Sequence, residues 1–404
     1  MIPGTELNNR ITNIRKLMNI NSIDALLISK PKNVLYASGA DLGTLIITKD
    51  FCTLFVSEFN YETNYETINS KGIFNSSINY MDLNTKKYRD FRVYEEISRR
   101  QSHKVCEKPT PIFDVEIYKK DIIKNFINEL KPDKLGIENI DFNSYEKLRN
   151  GIDSKITVSV SDTVESARMV KTDYEINLLK KSAEIAKKGM EKAYEIITPG
   201  ISELNAAAEI EYVIRKCGSE TPPFEHGILL SSGKNAGNIH GFPTEKKIKA
   251  YELIVVDLGA RYGNYYSDMT RTIPAGKLKL NSEQQRAHEF IKNLEEETID
   301  MVEIGVNTFE VHKFADEKIK KFGYKFHHSI SHGIGLDIHE MPYFRVIRGN
   351  IASVSEAYFK DRDAKLCENM VFTIEPGIYV PGKFGVRFED MVLLTKKGCE
   401  VLTR

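Results

Sequence analysis

The chain has 404 residues, enough for two or three domains, and 41% of them are hydrophobic, which supports ordinary buried cores. Its 57 Lys plus Arg are matched by 57 Asp plus Glu, so net charge recommends neither nucleic acid nor an anionic membrane as a partner. Apolar runs such as Ala25–Ile28 are far too short to cross a bilayer, residues 1–20 carry polar and charged residues throughout with no continuous apolar core, and cysteines 52, 106, 217, 367 and 399 form no C-x-x-C pair. The expectation is a cytoplasmic protein with buried, reduced thiols.

The first part alternates helices and strands. Residues 7–18 have helical spacing, with Ile11, Ile14, Leu17 and Met18 on one face. Residues 23–28 read as a short strand, and 45–48 and 52–56 as two strands joined by Lys49-Asp50. A helix is predicted over 122–130 and a strand over 134–138. Residues 150–160 are polar and β-rich, and a domain boundary is placed near 160, giving domains 1–160 and 161–404. An amphipathic helix follows over 173–197, ended by Pro199-Gly200. Ser202-Glu203 begins another, to about Cys217. Beyond 220, turn residues, histidines and β-rich runs dominate, with helices over 283–302 and 309–322.

The chemistry concentrates in this second part. Asp257 (V-V-D-L-G-A) and Asp268 (Y-S-D-M-T-R-T) flank a predicted hairpin, with strands 254–258 and 265–273 around the turn 261–264. Acids on adjacent strands can share a face, and their repulsion calls for a cation between them. Taken alone, the pair reads more readily as two solvated strand ends. Six of the nine histidines stand at 226, 240, 327, 328, 332 and 339, and 328, 332 and 339 can converge on one site. His332 sits in S-H-G-I-G-L, where Gly333 and Gly335 let the backbone pass close to a ligand. Glu375 precedes Pro376-Gly377, which stops a strand and aims the carboxylate into a cavity. Residues 386–394 read as one strand on which Arg387 and Glu389 point the same way. Four carboxylates and an imidazole are what two divalent ions sharing bridging ligands require. The acids at 257/268 and 375/389 form a faint echo of one another.

Read together, these frames resemble the pita-bread metallopeptidases: methionine aminopeptidase, aminopeptidase P and prolidase, with creatinase as a metal-free cousin. All five frames stand in the family's order. Arg10, D-A-L-L at 24–27 and N-V-L-Y at 33–36 resemble the creatinase-type N-terminal domain, a less specific match. The implied fold is an α/β N-terminal domain followed by a pita-bread α+β catalytic domain. S-G-K-N-A at 232–236, His240, Pro243-Thr244 and H-E-M-P at 339–342 are similar to the prolidase and aminopeptidase P branch.

On this resemblance, one metal is held by Asp257 and Asp268, the other by Asp268, His332 and Glu375, with Asp268 and Glu389 bridging. The ions are Mn²⁺ first, with Co²⁺ or Zn²⁺ as alternatives. His240 and His339 line the substrate side, Arg387 supports the site, and Glu375 relays the proton. The implied reaction is hydrolysis of the bond before proline by a metal-bridging hydroxide, acting on a proline-containing peptide or dipeptide, and the branch often forms homodimers. Phe242, Tyr343 and Phe344 are candidates for the proline slot. Tyr343 stands where many prolidases carry arginine, with Arg345 and Arg348 close by, so dipeptidase and aminopeptidase both stay open. The stretch 343–368 is longer than usual. Asn369 replaces a common glycine at a position that tolerates a left-handed turn. Two other readings remain: a creatinase-like small-molecule C–N hydrolase or lyase, and a non-catalytic binding protein on the same fold.

Overall fold

The computed structural model describes residues 2–56, 80–82, 87–89, 114–117, 121–224, 226–276, 280–344 and 365–404. Arg345, Arg348, most of the stretch 343–368 and Cys106 lie outside them. The chain divides into two compact units, Met1–Ala167 and Arg168–Arg404.

In the first unit the elements are α1 (Gly4–Ile20), β1 (Ala25–Ile28), α2 (Pro31–Ser38), β2 (Thr44–Thr48), β3 (Cys52–Val56), β4 (Tyr80–Asp82), β5 (Lys87–Arg89), β6 (Asp114–Ile117), α3 (Ile122–Leu130), β7 (Lys134–Ile137), α4 (Phe142–Arg149) and β8 (Thr157–Val160). A mixed six-stranded sheet runs β6-β3-β2-β1-β7-β8. β1 and β2 pair antiparallel, and β1 and β7 parallel. The predicted spacing of α1 holds at Ile11, Ile14 and Met18, which are buried with Leu7, whereas Leu17 is half-buried. Burying each such side chain contributes about 1.5–3 kcal/mol. Thiol burial holds only in part. Cys52 is buried, whereas Cys217 and Cys367 are exposed, and none of the described cysteines forms a disulfide.

After α5 (Thr163–Met169), the second unit contains α6 (Asp173–Ile196), α7 (Glu203–Lys216), β9 (Leu229–Ser232), β10 (Leu253–Tyr262), β11 (Tyr265–Pro274), α8 (Ser282–Asp300) and α9 (Thr308–Lys321). It continues with β12 (His332–Gly333), β13 (Glu340–Tyr343), β14 (Val371–Ile374), β15 (Gly377–Val380), β16 (Phe384–Arg387), β17 (Asp390–Thr395) and β18 (Gly398–Val401). Reciprocal capping boxes, Thr172 with Glu175, Asn281 with Gln284 and Asn307 with Glu310, fix the starts of α6, α8 and α9. α6 buries Leu179, Ala183, Ala186 and Met190, and its apolar face joins a core with Ile254, Val256 and Leu258 of β10. Glu175 also accepts a bond from Tyr265 Oη at 2.8 Å, and Ser182 Oγ donates to the Ala260 carbonyl at 2.9 Å. These bonds hold the helix against the hairpin that carries the two aspartates.

That hairpin turns on Gly263 and Asn264, with φ of 56° and 72°. Two left-handed residues make the tight connection whose twist suits antiparallel strands. The turn is therefore shorter than expected, and Arg261 belongs to β10. β9, β10 and β11 form one sheet, and a second runs β13-β12-β14-β17-β18. The predicted single strand over 386–394 is two strands. β16 ends at Arg387 and β17 starts at Asp390, because Glu389 leaves that ladder to bridge Thr270 of β11. Asn369 has the left-handed backbone expected of it, with φ 67°. Among the described residues no helix is long and apolar enough to cross a membrane.

Candidate metal centre

β10 and β11 pair with Asp257 opposite Thr270 and Asp268 opposite Gly259. The two aspartates are thus diagonal neighbours on one face of the hairpin. The bridge from Thr270 to Glu389 brings in the second sheet, and Glu375 follows β14 directly. His332 Nε2 lies 3.7 Å from Asp268 Oδ2, 3.6 Å from Glu375 Oε1 and 4.0 Å from Glu389 Oε1. Ligand atoms of Asp268, His332 and Glu389 all fall within 4.8 Å of one another. The five residues singled out in the sequence line one cavity of about 520 Å³.

The electrostatics of this cluster are those of a site short of positive charge. Burial, then Glu389, Asp257 and Glu375, push the Asp268 carboxyl well above its ordinary value. Burial and Glu389 do the same to Glu375. Burial and Asp257 bring Glu389 to about 7. Asp257 Oδ1 and Asp268 Oδ1 are buried without a hydrogen-bond partner. An orphaned carboxylate oxygen is costly unless a cation or donor meets it. The donor set therefore fits divalent cations, and its oxygen-rich character suits hard or borderline ions.

Hydrogen bonds around the acids orient them. Arg387 Nη2 donates to Asp257 Oδ2, Nη1 to Tyr379 Oη at 2.6 Å, and Nε to Thr270 Oγ1 at 3.0 Å. Thr270 Oγ1 donates to Glu389 Oε2 at 2.7 Å. Thr270, missed in the sequence, stands two residues from Asp268 on the same strand face, and that spacing is the signal for it. Burial, then His339, lowers the His332 imidazole to about 3 and keeps it neutral. Its Nδ1 contacts the Gly333 carbonyl at 3.1 Å, which places the ring proton there and turns the Nε2 lone pair toward the acids.

Across the cavity stand His240, His339, His328 and Tyr343. The His339 ring meets His332 edge-on, with centroids 4.2 Å apart. His328 Nδ1 contacts the Ser329 carbonyl at 2.8 Å, and its Nε2 is buried without a partner. The apolar lining comes from Phe224, Leu229, Ile239 and Ile338, none of which the sequence singled out. Of the three proposed aromatic residues only Tyr343 lines the cavity. Phe344 is fully buried against Phe372, and Phe242 is 53% exposed beside His226. Gly333 and Gly335 leave room for neighbouring chain. A Cβ on Gly333 would meet the Met341 carbonyl at 2.2 Å, and one on Gly335 would meet Glu340 Oε1 at 2.4 Å.

The S-G-K-N-A and Pro-Thr segments are held together by Glu203, which is completely buried at the start of α7. Its Oε1 accepts from Ser232 N at 2.8 Å and Ser232 Oγ at 2.6 Å, and its Oε2 from Thr244 N at 3.1 Å and Thr244 Oγ1 at 2.5 Å. One carboxylate thus pins both ends of the loop carrying His240.

Residues 177–396 match the model of metallopeptidase family M24, and residues 10–170 that of the creatinase/prolidase N-terminal domain. The chain is 33% identical to an Xaa-Pro dipeptidase of Pyrococcus furiosus over 404 residues, 98% of each chain. The solved prolidase of Pyrococcus horikoshii OT3 superposes with a TM-score of 0.75 at 31% identity, covering 98% of both chains. An X-Pro aminopeptidase of Thermotoga maritima gives 0.73 at 26% identity, over 98% of this chain and 97% of that one. Similarity that runs through both units carries the whole architecture with it, so the chain belongs to metallopeptidase family M24, with a creatinase-type N-terminal domain ahead of a pita-bread catalytic domain.

Proposed function

We propose that this metallopeptidase hydrolyses the peptide bond that precedes proline, as an Xaa-Pro dipeptidase. The observation that carries the reading is the meeting of a cation-short acid cluster with a wall of histidines and apolar side chains in one cavity. Full-length similarity to Xaa-Pro dipeptidases supports the choice of bond. Asp257, Asp268, His332, Glu375 and Glu389 would hold two divalent ions, with Mn²⁺ the first choice. Bound there, the ions lower the pKa of a water and polarise the scissile carbonyl.

The chain's own groups do the rest. Arg387 and Thr270 set the orientation of Asp257 and Glu389. Glu375 borders the cavity and moves the proton toward the leaving imino nitrogen. His339 donates to the carbonyl oxygen as charge develops there, and His240 orients the same group. Proline offers no N–H, so its ring needs an apolar surface instead of a hydrogen-bond acceptor. Phe224, Leu229, Ile239 and Ile338 supply one.

An aminopeptidase reading rests on a separate observation. Among the described residues lining the cavity, Arg387 is the sole Lys or Arg, and it is engaged by Asp257. Tyr343 stands where an arginine would grip a dipeptide carboxylate. The test is a paired assay of an Xaa-Pro dipeptide and an Xaa-Pro-Pro tripeptide with chelated and Mn²⁺-supplied protein. Free proline from the dipeptide is expected, with no turnover after chelation. Preference for the tripeptide would move the assignment to the aminopeptidase. Full activity of metal-free protein would overturn both.

A further inference from the structure

A buried charge cluster lies behind His339 and takes no part in the reaction above. Glu340 follows His339 in sequence, yet it is 6% exposed and does not line the cavity that His339 lines. Its Oε1 accepts from Lys171 Nζ at 2.6 Å. Its Oε2 accepts from Arg168 Nη2 and from the Asp337 backbone N–H at 3.2 Å. Arg168 Nη2 also donates to Asp337 Oδ2 at 2.7 Å, so one guanidinium grips the chain on both sides of Ile338-His339. Lys171 Nζ donates to the Arg168 carbonyl at 2.6 Å, which locks the two cations to each other. Arg168 and Lys171 are 4% and 2% exposed.

We propose that Arg168 and Lys171, acting through Asp337 and Glu340, are positioning residues for His339. The His339 ring is exposed on its outer side and meets His332 edge-on, and the backbone beneath it sets where that ring stands. Charge-assisted bonds at 337 and 340 fix that backbone from both sides. The inference rests on the reading that His339 contacts the substrate.

The test is a double-mutant cycle on the Mn²⁺-loaded full-length enzyme with Arg168→Lys and His339→Ala. Arg168→Lys keeps the charge but loses the fork that reaches both acids. It is expected to lower kcat by roughly 10–100-fold with KM changed less than about threefold, because small misplacements of a catalytic group act mainly on the chemical step. In the His339→Ala background the same change is expected to cost less than about twofold, since residues acting through one another are not additive. Bound Mn²⁺ stays the same. In protein labelled with ¹⁵N-histidine and loaded with diamagnetic Zn²⁺ in place of Mn²⁺, the His339 ring signal broadens on Arg168→Lys. An equal loss in both backgrounds, or an unchanged His339 signal, overturns the proposal. Should Arg168→Lys fail to fold, Lys171→Arg carries the same cycle. Absence of any Xaa-Pro turnover by the wild type would refute the proposed reaction, while the His339 signal still decides the positioning.

Discussion

Glu340 and Glu389 are buried glutamates of the same unit, 6% and 2% exposed, yet their surroundings move them in opposite directions. Burial by itself raises both. At Glu340 two cations, Arg168 and Lys171, outweigh it and hold the carboxyl below its ordinary value. At Glu389 burial is joined by the neighbouring acid Asp257, and Arg387, the cation that opposes them, also acts on Asp257 and Glu375, so the carboxyl rises to about 7. A cluster that balances its own charge serves the fold. One that leaves a deficit is built to receive charge from outside.

The largest effect that follows is on activity. Stripping divalent ions from the protein should lower Xaa-Pro hydrolysis by about 10³-fold or more, the worth of several kcal/mol of metal assistance. A steady-state assay before and after Mn²⁺ addition measures it. Persistent activity would mean that the acid cluster needs no external charge, and the contrast with Glu340 would collapse.

Neutralising one acid in each cluster sharpens the contrast. Glu340→Gln leaves Lys171 buried without its counter-charge and Arg168 with Asp337 alone, and should lose about 3–5 kcal/mol of stability. Glu389→Gln removes a repulsive charge, and in metal-free protein at pH 8 it should gain about 1–3 kcal/mol. Urea unfolding of the two metal-free variants tests both signs.

The same opposition governs pH. Asp268, Glu375 and Glu389 have raised folded values, so metal-free native protein binds more protons than the unfolded chain. Their contribution is fully present below the ordinary values, 3.8 for Asp268 and 4.5 for the two glutamates, and is lost as pH rises, toward about 7 for Glu389. Glu340 has the opposite sign: its contribution is present above the ordinary value and lost as pH falls through its lowered one. Metal-free protein should therefore melt at falling temperature from pH 5 to pH 8, a loss of about 2–3 kcal/mol from Glu389, and Mn²⁺ should flatten the slope. A scanning-fluorimetry series with and without Mn²⁺ decides it.

The parts of this arrangement that depend on local spacing were legible in the sequence. Leu7, Ile11 and Ile14 announce a helix by their period, the turn read at 261–264 announces a hairpin, and each acid sits in a short frame. The rest depends on partners far along the chain. Glu203 reads as a first-turn helix acid, and nothing near it reveals the bonds to Ser232 and Thr244. Glu340 looks like a companion of His339 in one motif, but it faces away toward residues 168 and 171. Phe344 and Tyr343 are adjacent aromatics whose alternation sends one to the core and the other to the cavity. Strand 386–394 breaks because Glu389 bonds across to Thr270, a long-range pairing that period-two reading does not contain.

The smallest expected effect concerns Tyr343, which borders the cation-short cavity and is partly exposed. Tyr343→Arg places a guanidinium on that wall. A partly solvated pair between it and a substrate carboxylate is worth up to about 1 kcal/mol, so kcat/KM for an Xaa-Pro dipeptide should rise by about three- to fivefold. An Xaa-Pro-Pro tripeptide carries its carboxylate one residue further out, so its rate should change less, and the ratio of the two rates is the measurement. The same cation should also draw the metal-free acids back toward their ordinary values and shallow the melting slope between pH 5 and pH 8. A raised ratio with an unaltered slope would place the new charge within reach of substrate but outside the field of the acids. An unaltered ratio would mean that the dipeptide carboxylate lies away from this wall, and that a charge added at 343 does nothing for the deficit the site is built around.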